Sequence, residues 1–158
     1  MRKPLLKGLG FGITSGVITA LGLLIGLISG THSKLAVIGG ILALAVADSL
    51  SDAVGIHISE EAENEHGAKE IWEASTFTLL SKFGLTVSFI VPVLLFNLQE
   101  AIYWSIAWGL ITLTAFSAHM AKSQGKSVLK VVGEHVMIAA LVIVLAHVVG
   151  SAIYEALG

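Results

Sequence analysis

The chain contains no cysteine and few charged residues. The absence of cysteine from all 158 positions excludes disulfide frameworks, thiolate metal sites and cysteine nucleophiles. Charged residues make up 13% of the sequence, whereas about 25% is usual for soluble domains. This scarcity excludes an ordinary soluble domain, which needs more charge to cover its surface. The net charge of −2 gives no basic footprint for nucleic acid, so we expect no nucleic-acid partner.

Apolar residues take the place of the missing charge, at 55% of the sequence. Windows of about 20 residues with few charges predict membrane-spanning helices, and runs such as ILALAVA and MIAALVIVLA do not alternate as β-barrel strands would. We therefore expect an all-α integral membrane protein that forms one five-helix domain in the lipid bilayer. The expected helices are about 8–30, 35–58, 75–97, 101–121 and 129–154, and an acidic cytoplasmic loop is expected at 59–74.

The positive residues predict the orientation of these helices. Of the nine lysines and arginines, Lys34 alone falls on the side of the membrane opposite to the N-terminus. Because cytoplasmic loops carry an excess of Lys and Arg, we expect the N-terminus inside and the C-terminus outside. The first window ends without a small-residue cleavage site, so we expect a retained span rather than a signal peptide, in the plasma membrane.

The loop at 59–74 holds six of the eleven acidic residues. It is either a solvated extension of the helices or a mouth that collects cations. His57, at the end of the second helix, can share a face with Glu60 and Glu61. Imidazole and carboxylate ligands without thiolate suit Fe²⁺ or Mn²⁺ better than Cu⁺.

Glycines in the first helix recur every four residues, at Gly8, Gly12 and Gly16 and again from Gly22 to Gly30. Such a smooth stripe allows another backbone to approach closely. It predicts either a subunit interface or packing within the subunit against the second or fifth span. Pro92 is expected to kink the third span, because proline removes a backbone donor and clashes with the preceding turn.

Four ionisable residues lie inside the expected spans: Asp48, Asp52, Lys82 and Glu134. Each costs on the order of 2.5–3.5 kcal/mol in hydrocarbon, so their presence needs a reason. At about 1.5 Å per residue, Asp52, Lys82, Glu134 and Ser15 lie roughly 8–11 Å from the cytoplasmic ends of their helices, and Asp48 about 15 Å. The depths predict one polar layer with a carboxylate ladder, which is what a cation path requires.

Three alternatives stay open for this layer. Lys82 can neutralise Asp52 or Glu134 in a structural salt bridge, and Lys82 and Glu134 are close enough to the interface to extend toward water. The D-x-x-x-D pair of Asp48 and Asp52 can also hold Mg²⁺ for phosphoryl transfer. No basic phosphate-binding cluster accompanies that pair, so we expect no enzyme.

Longer motifs resemble the vacuolar iron transporter family. FGITSGVITALGLLIG is similar to its first-helix pattern F-G-x-x-D-G-L-V-T-T-F-G-L-V-A-G, and ADSLSDAVGIHIS is similar to its second-helix pattern A-D-A-L-S-M-A-x-G-E-Y-x-S. TFTLLSKFGLTVSFIVPVLLF and QGKSVLKVVGEHVMIAALVIVLAHVVGSAI resemble the later helices. The similarity covers nearly the whole chain in the same order.

The resemblance implies a five-helix homodimer that moves Fe²⁺ or Mn²⁺ out of the cytosol in exchange for protons, with an ion path between the first two helices. Of the family's ligands, the Asp of the A-D pair is retained as Asp48. The first-helix Asp falls on Ser15, the Met of the second helix on Asp52, and the Glu on Ile56. The family's cytoplasmic metal-binding domain has no counterpart in the short segment at 59–74.

Together these patterns predict a divalent metal transporter with no cofactor apart from the transported ion. Asp48 and Asp52 are expected to coordinate the ion or carry the exchanged proton, assisted by Glu134. Ser15 and Thr19 would supply neutral oxygens, and His57, Glu60 and Glu61 would collect cations. The second hypothesis is a non-transporting metal-binding or structural homologue in which Lys82 neutralises the carboxylate layer.

Overall fold

The computed structural model describes residues 3–157, and this part of the chain is helical with no β-strand. Five segments are long and apolar enough to cross a membrane, because α3 and α4 together make one span. For the described residues, the prediction of an all-α protein with five segments long and apolar enough to span a membrane is therefore confirmed. The helices are α1 (Lys3–Thr31), α2 (Lys34–Glu63), α3 (Ala68–Ser88), α4 (Ile90–Leu95), α5 (Leu98–Ser123) and α6 (Val128–Leu157).

The acidic segment is mostly helical, so the loop expected at 59–74 is much shorter. Helix α2 continues to Glu63 and α3 begins at Ala68. Glutamate and alanine are good helix formers, which explains why α2 extends beyond its apolar part. The helix ends where Asn64 takes a left-handed conformation with φ 52°, and the Gly67 amide donates to Glu70 Oε2 at 3.3 Å to begin α3.

The third span is interrupted close to Pro92, as predicted. Helix α3 ends at Ser88 and α4 begins at Ile90. Pro92 has no backbone N–H to donate to the Ser88 carbonyl one turn earlier, so the regular helix cannot continue through this point. The Trp108 indole donates to Ser88 Oγ at 3.0 Å, which ties the interruption to α5.

Helix α1 lies at the centre of the molecule and packs against α2, α3, α5 and α6. A Cβ atom at Gly8 would collide with the Ala74 carbonyl of α3, and one at Gly30 would lie 3.2 Å from the Gly150 carbonyl of α6. The glycine stripe therefore serves packing within the subunit. The last three glycines pack against α6, so the alternative of the fifth span is confirmed for them. The first three pack against α3 rather than against the second span, the other alternative.

The apolar core surrounds the middle and second half of α1. Val17, Leu21 and Leu24 are fully buried there against residues such as Ile41 and Leu113. The outside of the bundle is also apolar, as expected for a surface that faces lipid. On α2, for example, the exposed positions recur every four residues at Leu42, Val46, Leu50, Val54 and Ile58.

Candidate functional site

Lys82 lies at the meeting point of α1, α2 and α3, with 1% of its side chain exposed. Its Nζ atom forms an ion pair with Asp48 Oδ2 at 2.6 Å and a second ion pair with Asp52 Oδ2. It also donates to Ser15 Oγ at 2.9 Å, and the Ser15 hydroxyl donates to Asp52 Oδ2 at 2.9 Å. We call Ser15, Asp48, Asp52 and Lys82 the membrane cluster. The predicted polar layer is thus present in three helices.

The sequence around these residues explains how the membrane cluster forms. Asp48 and Asp52 are four residues apart, which puts both carboxylates on one face of α2. A Cβ atom at Gly16 would lie 3.3 Å from Lys82 Cγ, so the missing side chain leaves room for the stem of Lys82. The Thr78 hydroxyl donates to the Gly8 carbonyl at 3.2 Å and fixes α3 against α1 below the cluster.

The membrane cluster carries an unequal number of opposite charges. Two carboxylates face one ammonium, which leaves a formal charge of −1. The side chains of Asp48 and Asp52 are 26% and 20% exposed, whereas Lys82 is enclosed. The cluster is therefore accessible from the carboxylate side. No group of three His, Cys, Asp or Glu residues suitable for a metal occurs within the described range 3–157, so protein ligands here would be two carboxylates and one hydroxyl.

Two fully buried hydroxyls close to the cluster in sequence lack hydrogen-bond partners among the described residues. Ser49 directly follows Asp48, and Thr86 follows Lys82 by one helical turn. Serine and threonine in a helix commonly bond to the carbonyl four residues earlier, as Thr19 does with Ser15 at 2.9 Å. The hydroxyls of Ser49 and Thr86 form no such hydrogen bond.

Glu134 does not belong to the membrane cluster. Its side chain is exposed on α6, and the ion pairs of Lys82 are with Asp48 and Asp52. The depth of Glu134 along its helix is that of the layer, but its rotation about the helix axis turns it away. Thr19 also lies outside the cluster, one turn after Ser15, so its expected role as a neutral ligand is not met in this arrangement.

Glu60 is enclosed by partners rather than open to solvent. Its side chain is 0% exposed and contacts Lys7 Nζ at 2.6 Å and His66 Nδ1 at 2.7 Å. Lys7 also contacts Glu63 Oε1 at 2.7 Å. We call Lys7, Glu60, Glu63 and His66 the end cluster, since it joins the start of α1 to the end of α2. Glu60 therefore does not act as an open cation collector, whereas Glu61 is exposed.

Sequence reasoning missed the partners of Glu60, although a signal for its burial exists. Ala45, Ser49, Ala53, Ile56 and Glu60 form one stripe of buried residues along α2. Continuing the apolar stripe by three or four residues at a time reaches Glu60 and not Glu61. Burial of a carboxylate then requires a cation nearby, and Lys7 in the second turn of α1 supplies it.

Three histidines form hydrogen bonds between helices. His57 Nδ1 lies 3.2 Å from Ser75 Oγ, and its ring meets Trp72 edge-on at 4.6 Å between centroids. His57 thus joins α2 to α3 and is separate from Glu60 and Glu61. Two further pairs have the same chemistry: Ser29 with His147 at 2.8 Å and Ser117 with His135 at 2.7 Å.

Comparison of the chain with protein-family models, with curated proteins and with solved structures finds no match. The membrane cluster and the end cluster are therefore the features from which a function is inferred.

Proposed function

We propose that this protein is a divalent metal transporter of the cell membrane, which exports Fe²⁺ or Mn²⁺ from the cytosol in exchange for protons. The observation that carries the proposal is the negative charge left over in the membrane cluster. Asp48 and Asp52 face a single ammonium, and both carboxylates remain partly exposed. A site of this charge within an apolar bundle attracts a cation.

The energetic cost of the cluster supports a functional role. Charges within a membrane are expensive, and a buried ion pair is seldom more stabilising than apolar packing of the same volume. The same bundle joins other helices with single serine–histidine hydrogen bonds such as Ser29 with His147. A charged group of four residues with an unequal charge balance is therefore a costly way to hold three helices together.

The motifs that resemble the vacuolar iron transporter family supply the finer parts of the proposal. Asp48 matches the aspartate of the family's A-D pair. Fe²⁺ or Mn²⁺ as cargo, proton exchange, export and a homodimer are what that resemblance implies. The oxygen ligands of the cluster suit these ions, which accept carboxylate and hydroxyl oxygens in the absence of thiolate.

A second candidate is a non-transporting membrane protein, and the position of Lys82 favours it. The ammonium touches both carboxylates and the Ser15 hydroxyl, so it fills the position that a metal ion would take. In this case the cluster would be a permanent link between α1, α2 and α3. The two candidates differ in whether a metal ion crosses the membrane.

Mn²⁺ flux into proteoliposomes that contain a Mn²⁺-quenched dye distinguishes the transporter from the non-transporting membrane protein. The wild type is expected to transport Mn²⁺, and the Asp48→Asn, Asp52→Asn double variant is expected to fall to the rate of empty vesicles. Glu65→Gln, Glu155→Gln is the matched control, because it also removes two carboxylates but from exposed positions. Equal rates for the wild type and the Asp48→Asn, Asp52→Asn variant would reject the transport proposal.

Cargo and proton exchange need a second series of the same assay. Fe²⁺, Mn²⁺, Co²⁺ and Zn²⁺ are compared with and without a pH gradient across the vesicle membrane. Faster flux of Fe²⁺ or Mn²⁺ when protons can move in the opposite direction supports exchange. Flux that does not respond to the gradient contradicts it.

A further inference from the structure

We propose that Lys82 is a tethered competitor that occupies the cation site and restricts it to divalent ions. This inference rests on the proposed function and adds the basis of its selectivity. A metal ion would have to displace the ammonium of Lys82 from the oxygens of Ser15, Asp48 and Asp52. Lys82 is thus a specificity-determining residue rather than a ligand.

The contacts of Lys82 show that it uses the oxygens a metal ion would use. Its Nζ atom lies 2.6 Å from Asp48 Oδ2 and 2.9 Å from Ser15 Oγ, and it touches Asp52 Oδ2 as well. Those three atoms are the convergent oxygens of the membrane cluster. An ion cannot contact all three while the ammonium stays between them.

The side chain of Lys82 is flexible along its length. Its stem of four carbons packs against Gly16, where an added Cβ atom would lie 3.3 Å from Lys82 Cγ. Thr86 lies one helical turn beyond Lys82, and the Thr86 and Ser49 hydroxyls have no hydrogen-bond partner among the residues described. When a metal ion displaces it, the ammonium would turn toward these buried oxygens.

Charge explains why such a competitor selects divalent ions. A monovalent ion carries the same charge as the ammonium, and the ammonium is already covalently attached at the site. A monovalent ion therefore gains little electrostatic interaction energy by exchanging places with the ammonium of Lys82. A divalent ion interacts with two carboxylates about twice as strongly at the same distance, so it alone can displace the tether. The site excludes Na⁺ and K⁺ without a narrow pore.

Equilibrium binding of Mn²⁺ to the full-length protein in detergent, followed by electron paramagnetic resonance of the unbound ion, tests this inference. Lys82→Gln keeps N–H donors for the carboxylates but removes the charge, and Lys82→Met keeps the length of the stem. Both are expected to bind Mn²⁺ at least about tenfold more tightly than the wild type, because a like charge has been removed. K⁺ is expected to compete with Mn²⁺ in these variants only.

Three control variants test whether the gain in Mn²⁺ affinity comes from removing the charge of Lys82. Lys69→Gln, at an exposed position of α3, is expected to leave Mn²⁺ affinity unchanged. Lys82→Arg retains the charge and is expected to bind Mn²⁺ no more tightly than the wild type. Adding Asp48→Asn and Asp52→Asn to Lys82→Gln is expected to abolish the gain.

The inference is overturned if Lys82→Gln and Lys82→Met bind no more tightly than the wild type, or if the gain survives without both carboxylates. The wild type gives a measurement that depends on no variant. Replacing choline chloride with KCl at equal ionic strength must leave its Mn²⁺ binding unchanged, and competition by K⁺ would overturn the selectivity.

Measuring Mn²⁺ flux together with Mn²⁺ affinity separates this inference from the proposed function. If the wild type transports Mn²⁺ but Lys82→Gln binds it no more tightly, the role of Lys82 as a competitor is rejected and the transport proposal stands. If Lys82→Gln binds Mn²⁺ more tightly but no protein transports it, the transport proposal is rejected and the role of Lys82 stands.

Discussion

At the scale of single residues, two fully buried charges are each enclosed by two groups of opposite type. Lys82 lies between the carboxylates of Asp48 and Asp52, and Glu60 lies between Lys7 and His66. A buried ion is tolerated only when partners replace its hydration. The two clusters meet this requirement with reversed signs. With all lysines and carboxylates ionised, the membrane cluster has a formal charge of −1, and the end cluster has −1 with a neutral His66 and zero with a protonated His66.

Replacing Glu60 with glutamine is expected to destabilise the bundle by about 1–3 kcal/mol, because Lys7 and His66 would lose the charge that they enclose. Glu61→Gln is the matched control, since the neighbouring side chain is exposed, and it is expected to change stability by less than about 0.5 kcal/mol. Denaturant unfolding in detergent measures both. Equal stabilities of the two variants would show that the end cluster contributes nothing to the fold.

At the scale of helices, α1 is positioned by close backbone approach on two sides. Its first glycines face α3 and its last glycines face α6. Near the end of α6, a Cβ atom at Gly150 would lie within 2.9 Å of Ser29 Cβ and 3.1 Å of the Gly30 amide nitrogen. Contact of this kind depends on small residues, since packing replaces the hydrophobic effect between helices in lipid.

Gly150→Ala is expected to destabilise the protein by about 1–3 kcal/mol, because α1 and α6 must separate to admit the methyl group. Gly133→Ala lies on the same helix with no atom within 4 Å of its added carbon, and alanine is the better helix former. This control is expected to stabilise by up to about 1 kcal/mol. Denaturant unfolding curves compare the free energies of unfolding of the two variants. A loss of stability in Gly133→Ala without one in Gly150→Ala would contradict the close packing of α1 and α6.

Helix geometry also explains which parts of the site could be predicted from the sequence. Counting residues gives depth along a helix, and depth correctly grouped Ser15, Asp52 and Lys82. Depth does not give rotation about the axis, which depends on the neighbouring helix. Glu134 therefore has the right depth but the wrong face. The stripe along α2 indicates that Glu60 is buried, but its pairing with Lys7 depends on how α1 meets α2, which the local sequence does not specify.

At the scale of the whole molecule, five apolar spans enclose two separate clusters of charged groups among the described residues. Composition was sufficient to predict the spans, because few charged residues and long apolar runs leave only lipid as the outer solvent. The two clusters both include residues of α1 and α2, and both lie on the first half of α1. The buried charged groups described here are therefore concentrated in one half of the bundle.

The proposed orientation is testable by cysteine labelling, since the chain has no cysteine of its own. Glu65→Cys lies in the turn between α2 and α3, and Gln99→Cys lies at the start of α5, both exposed. A membrane-impermeant maleimide added to intact cells is expected to label Gln99→Cys and to spare Glu65→Cys until the cells are lysed. The opposite pattern would place the N-terminus outside and reverse the proposed direction of export.

The central claim is that the membrane cluster is a cation site, and locating bound Mn²⁺ by anomalous X-ray scattering tests it most directly. Crystals of the wild type and of Lys82→Gln are grown with Mn²⁺ and compared. We expect an anomalous peak between Asp48, Asp52 and Ser15, present in Lys82→Gln at lower Mn²⁺ concentration than in the wild type. The absence of a peak there in both proteins, while Lys82 remains paired with the two carboxylates of the wild type, would contradict it.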